Sequence, residues 1–121
     1  MSDNLLIGKL GEQIAVRYLC DKGFSIRATH FTSHWGELDI IAQYKSTLVF
    51  VEVKTRVGDL RGKPYEAVTL HKIRSLRRCI DYYLLSNKAD YMGLRLDVVS
   101  IILDANHQVV ELKHFENVPT S

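Results

Sequence analysis

The sequence predicts a mixed α/β domain in which two helices cover one β-sheet, with the elements in the order αβββαββ. Two segments repeat apolar residues with helical spacing, and five shorter apolar segments are typical of β-strands. At 121 residues the chain is long enough for one hydrophobic core, so we expect a single domain over residues 1–121. An apolar content of 46% and a charged content of 25% argue against a disordered chain.

The first predicted helix is "NLLIGKLGEQIAVRYLCDKG", with Asn4 as its N-cap and Gly23 beyond its end. One face of this helix carries Leu5, Gly8, Glu12, Ala15 and Leu19. Glu12 is the one charged residue on that face, and a buried carboxylate is costly without a partner. Glu12 therefore either meets a partner in the fold or reaches solvent at the boundary of the core.

The remaining elements follow in order. "FSIRATHF" is a strand, residues 36–56 form a β-hairpin, and a second helix runs from about Glu66 to Ser86. The apolar stripe of this helix comprises Leu70, Ile73, Leu76, Ile80, Tyr83 and Leu84. "RLDVVSIIL" and "HQVVELKHF" are the last two strands, joined by a turn at residues 104–106.

The hairpin "GELDIIAQYKSTLVFVEVKTR" carries four charged residues in the most apolar part of the chain. A turn centred on residues 45–46 makes Asp39 face Glu52, and Glu37 face Lys54. Because side chains alternate along a strand, all four lie on one face of the sheet. The opposite face then packs in the core through Leu38, Ile40, Val49, Val51 and Val53.

This charged face has two interpretations. Facing carboxylates destabilise a sheet, and Mg²⁺, which prefers carboxylate oxygens, would offset their repulsion. A lysine beside such a site can position a water molecule or steady developing negative charge, which is the chemistry of metal-assisted phosphodiester hydrolysis. The alternative is a salt-bridged, solvent-facing sheet surface that binds no metal.

A basic block follows the hairpin. Residues 54–78 hold eight Lys and Arg against two acidic residues, namely Lys54, Arg56, Arg61, Lys63, Lys72, Arg74, Arg77 and Arg78 against Asp59 and Glu66. Such a block is either a phosphate-binding surface or a solvated helix face with a basic loop.

Cellular location follows from what the sequence lacks. The longest early apolar run is three residues, Leu5 to Ile7, so we expect neither a signal peptide nor a membrane span. Cys20 and Cys79 are far apart and form no CxxC motif, which favours reduced thiols. We therefore expect a cytoplasmic protein that has no membrane partner.

Asp39, twelve residues, Glu52, one residue and Lys54 together resemble the PD-(D/E)xK signature of restriction-endonuclease-like nucleases, with Leu38 in place of the proline. The stretches "GKLGEQIAVRYL", "GELDIIA", "VFVEVKTR" and "RLDVV", in that order, resemble the YraN-like family of small bacterial proteins. The resemblance extends from about Gly8 to Val99.

The resemblance implies an endonuclease-like fold close to that of archaeal Holliday junction resolvases. It implies a catalytic set of Glu12, Asp39, Glu52 and Lys54. Mg²⁺, or Mn²⁺ in its place, would be held by Asp39, Glu52 and the backbone carbonyl of Val53, with Lys54 near the attacking water.

Other residues gain roles from the same resemblance. Glu37, in the GE-x-D motif, would support the site. Arg95 and Asp97 share a strand face and match the family motif; we favour a structural ion pair, and the alternative is a peripheral role in the site. The family usually has Asn and Arg where this chain has His30 and Thr32, which leaves their effect on substrate contacts open. For nucleic-acid binding we predict Arg56, Arg61, Lys63, Lys72, Arg74 and Arg78.

Three functions follow from these patterns. The first is a Mg²⁺-dependent nuclease that cuts DNA, including branched DNA, with a homodimer expected because resolvase-like proteins cut paired strands. The second is a non-catalytic nucleic-acid-binding module that acts with a repair or recombination partner. The third is a structural or interaction protein with a salt-bridged sheet.

Overall fold

The computed structural model describes residues 3–58, 69–87 and 91–120 and confirms the element order αβββαββ. The elements are α1 (Asp3–Asp21), β1 (Ser25–Ser33), β2 (Gly36–Tyr44), β3 (Thr47–Val57), α2 (Leu70–Ser86), β4 (Gly93–Leu103) and β5 (Val109–Phe115). Neither of these two helices is long and apolar enough to cross a lipid bilayer.

The five strands form one sheet in the order β1-β2-β3-β4-β5. β3 and β4 are parallel and the other neighbours are antiparallel, because α2 lies between β3 and β4 in the chain and returns it to the same end of the sheet. The core has two clusters of buried residues. One includes residues of α1 and the other includes residues of α2, so the two helices pack on opposite faces.

Helix α1 differs from its prediction at its first turn. Asp3 already belongs to the helix, so Asn4 is a helical residue and not the N-cap. Ala15 and Leu19 are buried as predicted, but Leu5 is exposed, so the apolar stripe meets the sheet only beyond the first turn. Gly23 follows the helix with φ +96°, a conformation that glycine adopts at little cost.

Gly11 marks the closest approach of α1 to the sheet. A Cβ atom at Gly11 would lie 1.8 Å from Oγ1 and 2.7 Å from Cβ of Thr55 in β3. We expect Gly11→Ala to lower the free energy of unfolding by about 1–3 kcal/mol, because helix and strand must move apart. Gly8→Ala is the matched control, since a Cβ there meets nothing within 4 Å. It should stabilise by up to about 1 kcal/mol in urea unfolding, and equal effects of the two variants would contradict this packing.

Helix α2 begins later than the sequence predicts. Its N-cap is Thr69, whose extended backbone (φ −81°, ψ 166°) interrupts any helix beginning near Glu66. Leu70 is therefore the first helical residue and is exposed, contrary to its predicted place in the stripe. The side chains that α2 buries are Leu76, Cys79, Ile80 and Tyr83.

The β2–β3 hairpin has the predicted register over part of its length. Pairing runs from Ile40 opposite Val51 to Tyr44 opposite Thr47, as a turn at residues 45–46 requires. The two predicted facing pairs of charged residues lie beyond this paired segment. The predicted pairing of Glu37 with Lys54 is therefore wrong, and on the other side of β2 Glu37 pairs with Thr32 of β1.

The predicted single core face of the hairpin is also wrong at one position. Ile40, Val49 and Val51 pack in the α1 cluster, with Val53 partly buried against it. Leu38 packs in the α2 cluster. Strict alternation would put Leu38 and Ile40 on the same face, so β2 is irregular at Asp39, between them.

The turn between β4 and β5 forms where the sequence predicts it. Asp104 Oδ1 accepts hydrogen bonds from the backbone N–H groups of Asn106 (2.8 Å) and Gln108 (2.9 Å). This local side-chain-to-backbone pattern is the reason aspartate favours such turns.

Candidate metal and nucleic-acid site

Asp39 and Glu52 lie where β2 and β3 stop pairing. Asp39 Oδ2 accepts a hydrogen bond of 2.8 Å from the backbone N–H of Val53, so a side chain satisfies the N–H group beyond the paired segment. The Asp39 carboxyl is also within hydrogen-bonding reach of Glu52, which is only 3% exposed. The hairpin thus brings together the two predicted metal ligands, of which Glu52 is buried and Asp39 half-buried.

The closeness of these two carboxyls has an electrostatic consequence. Burial, together with the hydrogen bond to Glu52 and its negative charge, raises the pKa of Asp39 to about 9. Without a cation, Asp39 therefore keeps a proton at neutral pH, because its ionised carboxylate would repel the carboxylate of the buried Glu52. A divalent cation would remove that constraint by supplying positive charge.

Glu52 holds the least satisfied atom of the site. Its Oε2 is the one buried side-chain oxygen or nitrogen atom without a hydrogen-bond partner in the described ranges 3–58, 69–87 and 91–120. The Lys72 ammonium lies 3.3 Å away and forms an ion pair with this oxygen, although the geometry is not that of a hydrogen bond. Lys72, which we predicted to bind nucleic acid, is therefore part of the carboxylate site.

Glu12 approaches the same site from helix α1. Its carboxyl is within hydrogen-bonding reach of Asp39, so the position of Glu12 on an apolar face is explained by the partners it meets. Burial raises the pKa of Glu12, while the nearby His30 lowers it and Glu37 raises it further. The net direction is upward, as expected for an acid among other acids.

His30 is a site residue to which the sequence analysis assigned no role. Its Nε2 lies 2.8 Å from Glu12 Oε1 and its Nδ1 lies 3.1 Å from Glu37 Oε1, so the imidazole bridges the two carboxylates. Glu37 thus contacts His30 and not Lys54. The φ of +53° at His30 turns the backbone locally, which simple alternation along β1 does not predict.

Lys54 lies two residues after Glu52 in β3, opposite Ser100 of β4, and is partly exposed. In the part of the chain that the structure describes, no ion pair holds the Lys54 ammonium. Glu52 and Lys54 share a strand face because they are two residues apart. Among the described residues, the Lys54 ammonium is therefore a cation without an ion pair on the strand face that carries Glu52.

The donor set fits a hard divalent cation. Mg²⁺ is bound in proteins through one or two carboxylates, and the half-buried Asp39 and the buried Glu52 provide two that are close together. The unpartnered Glu52 Oε2 is an available ligand atom. The carbonyl of Val53 stays a prediction.

The predicted basic surface is partly described. Arg74, Arg77 and Arg78 lie on the exposed side of α2 and line an open cavity of about 480 Å³. Arg56 lies on β3 beyond Lys54, opposite Ile102. The predicted contacts at Arg61 and Lys63 lie outside the described residues.

Comparison of the sequence with known proteins assigns this chain to a family. Residues 11–101 match the model of the uncharacterised protein family UPF0102. The chain belongs to UPF0102. The matched range contains all four residues of the predicted catalytic set.

Several UPF0102 proteins are similar over nearly their whole length. One from Alkaliphilus oremlandii is 43% identical over 116 residues, covering 94% of this chain and 97% of its own. One from Geotalea daltonii is 40% identical, covering 96% and 91%. One from Nocardia farcinica is 39% identical, covering 91% and 87%.

A second buried ionic cluster in this UPF0102 member lies at β4. Arg95 donates two hydrogen bonds to the Asp97 carboxylate (2.9 and 3.1 Å), as the predicted ion pair requires. Asp97 also contacts His114 Nε2 at 2.7 Å and accepts from the Asn117 N–H at 2.9 Å. Because these groups satisfy one another, the cluster has the features of a structural network.

Proposed function

We propose that this protein is a Mg²⁺-dependent nuclease that hydrolyses phosphodiester bonds in DNA. The observation that carries the proposal is the close pair of the half-buried Asp39 and the buried Glu52, with Lys54 two residues after Glu52 on the same strand face. The proposal includes the endonuclease-like character of the fold that the sequence resemblance implies. Mn²⁺ should substitute for Mg²⁺, because both accept carboxylate oxygen ligands.

Each residue has a distinct chemical role in this proposal. Asp39 and Glu52 would hold the cation, which when bound would lower the pKa of a water molecule and polarise the phosphate. Lys54 would orient the attacking water or stabilise the negative charge that develops on the phosphate. The carboxyl of Glu12, which is within hydrogen-bonding reach of Asp39, would keep the Asp39 carboxyl oriented and would add negative charge to the site.

The choice of a nucleic acid as substrate rests on charge, and DNA is the nucleic acid that the sequence resemblance implies. Arg74, Arg77 and Arg78 form a basic, exposed side of α2, the helix whose Lys72 contacts Glu52. Phosphate backbones bind such surfaces through charge, independently of sequence. Branched DNA is the proposed structural class, and the homodimer that would cut paired strands is part of the same proposal.

A second function has its own support. Lys72 pairs with Glu52, while His30 pairs with both Glu12 and Glu37, so side chains of the protein already partner three of the four acidic groups. A non-catalytic nucleic-acid-binding module that works with a repair or recombination partner would need no metal ion. Its acidic groups would be held by these ion pairs, and the basic surface would bind the nucleic acid.

The test is a cleavage assay on labelled duplex, single-stranded, flap and four-way DNA with Mg²⁺, Mn²⁺ or EDTA. We expect the wild-type protein to cut at least one substrate in the presence of metal. Lys54→Ala should lower the rate by about a hundredfold or more, the size of general acid–base or charge stabilisation. Lys113→Ala is the control, since Lys113 pairs with Glu111 on β5.

The outcomes separate the two functions. Metal-dependent cutting that Lys54→Ala removes and Lys113→Ala leaves intact supports the nuclease. Salt-sensitive binding without cutting in any metal, unchanged in Lys54→Ala, supports the binding module and contradicts the nuclease.

A further inference from the structure

Lys72 stands in an unusual relation to the buried oxygen of Glu52. Glu52 is 3% exposed, whereas the Lys72 side chain is 41% exposed, so one end of the ion pair is buried and the other is in contact with solvent. The Glu52 oxygen has the Lys72 ammonium at 3.3 Å and no hydrogen-bond partner among the residues described. The Lys72 ammonium thus lies next to the Glu52 oxygen atom that we propose as a metal ligand.

Lys72 lies in the first turn of α2, where a lysine does not stabilise the helix. Lys72 is the third residue of α2, and its backbone N–H donates to the N-cap Thr69 Oγ1 at 3.2 Å. A cation in the first turn of a helix is disfavoured by the helix dipole. Helix stability therefore does not explain a lysine at this position, whereas the unpaired carboxylate oxygen of Glu52 does.

The pair is also easily exchanged. A partly exposed lysine is screened by solvent, and its ion pair is weaker than a fully buried, hydrogen-bonded one. A divalent cation binds carboxylate oxygens at shorter range and with twice the charge. A metal ion bound to Glu52 Oε2 would repel the Lys72 ammonium and weaken its ion pair with that oxygen.

We propose that Lys72 is an exchangeable counter-ion, which occupies Glu52 Oε2 in the metal-free protein and turns to a substrate phosphate when a divalent cation binds. This rests on the proposed metal site. Lys72 would then couple metal binding to nucleic-acid binding, because the same ammonium group cannot serve both partners. Lys72 would contact the phosphate backbone and not the water that reacts.

The first test measures metal binding without nucleic acid, by calorimetric titration of Mn²⁺ into metal-free protein. Lys72→Met removes the competing cation, so we expect Mn²⁺ to bind about fivefold more tightly than to wild type. Lys113→Met, which removes a lysine on β5 that pairs with Glu111, should bind as wild type does. Equal or weaker binding by Lys72→Met overturns the exchange.

The second test measures binding to a labelled four-way DNA over a range of salt concentrations, in EDTA and in Ca²⁺. A phosphate contact adds about 0.9 to the slope of log K against log salt. Lys72→Met should lower the slope by that amount in Ca²⁺ and leave it unchanged in EDTA, where Lys72 is held by Glu52. An equal difference in both conditions shows a permanent phosphate contact and contradicts the proposal.

The failures of the two proposals are distinguishable. If wild type and Lys72→Met bind Mn²⁺ equally, the metal site stands and the exchange is wrong. If neither protein binds Mn²⁺, the metal site itself fails, and the exchange fails with it.

Discussion

Asp39→Asn is expected to abolish cleavage and yet make the metal-free protein more stable at alkaline pH. Asparagine keeps the shape of the protonated carboxyl, and its side-chain oxygen can still accept the Val53 N–H bond. The variant loses the charge that a cation requires, so Mg²⁺ should no longer bind tightly. The loss of activity should therefore be accompanied by a folded protein.

The sign of the pH effect follows from the raised pKa of Asp39. With a folded pKa of about 9 and an ordinary value of 3.8, the folded state keeps a proton that the unfolded state has lost between these values. Stability of the metal-free wild type therefore falls as pH rises through this range, by at most about 1.4 kcal/mol per pH unit from this one group. Asp39→Asn removes this dependence.

Urea unfolding in EDTA at pH 5, 7 and 9 measures the effect. The difference in stability between Asp39→Asn and wild type should increase in favour of the variant as pH rises. Added Mg²⁺ should stabilise wild type and leave the variant unchanged. Asp21→Asn, at an exposed position near the end of α1, is the control. Parallel pH profiles for wild type and Asp39→Asn would contradict a raised pKa at Asp39.

Asp97→Ala is expected to cause the largest loss of stability, about 3–5 kcal/mol. Asp97 is fully buried, and its removal leaves His114 without a carboxylate partner and leaves Arg95 with the ion pair to the exposed Glu116. Total stabilities of small domains are 5–15 kcal/mol, so the variant should be close to unfolding at physiological temperature. Thermal and urea unfolding measure the loss, with Asp81→Ala on the exposed side of α2 as control.

The pH dependence identifies the carboxylate as the cause. Burial alone would raise the pKa of Asp97, but hydrogen bonds from His114, Arg95 and the Asn117 backbone outweigh it and lower the pKa below 3.8. The stabilisation is thus present above pH 3.8 and is lost as pH falls through the lowered value. The difference between wild type and Asp97→Ala should shrink in that acid range. A constant difference down to pH 2 would point to lost packing instead.

The local signals of the sequence were sufficient to predict which segments form helices and which form strands. Helical spacing and alternating apolar residues predicted all seven elements in order, because these periodicities describe the face that each element buries. The turn at residues 45–46 also determined the register of the paired part of the hairpin, beyond which Asp39 and Glu52 come close together. The extended Thr69 was missed, because propensity alone locates helix ends poorly.

The sequence by itself thus determined the order of the elements, the hairpin register and the acidic composition of the site. Only the tertiary structure decided the partners: His30 between Glu12 and Glu37, and Lys72 beside Glu52. It also decided that the strands separate at Asp39, where a side chain satisfies the backbone N–H of Val53. The physical reason is that periodicity fixes which face a residue occupies, whereas contacts between elements depend on local irregularities and helix docking, which only the packing of the whole chain determines.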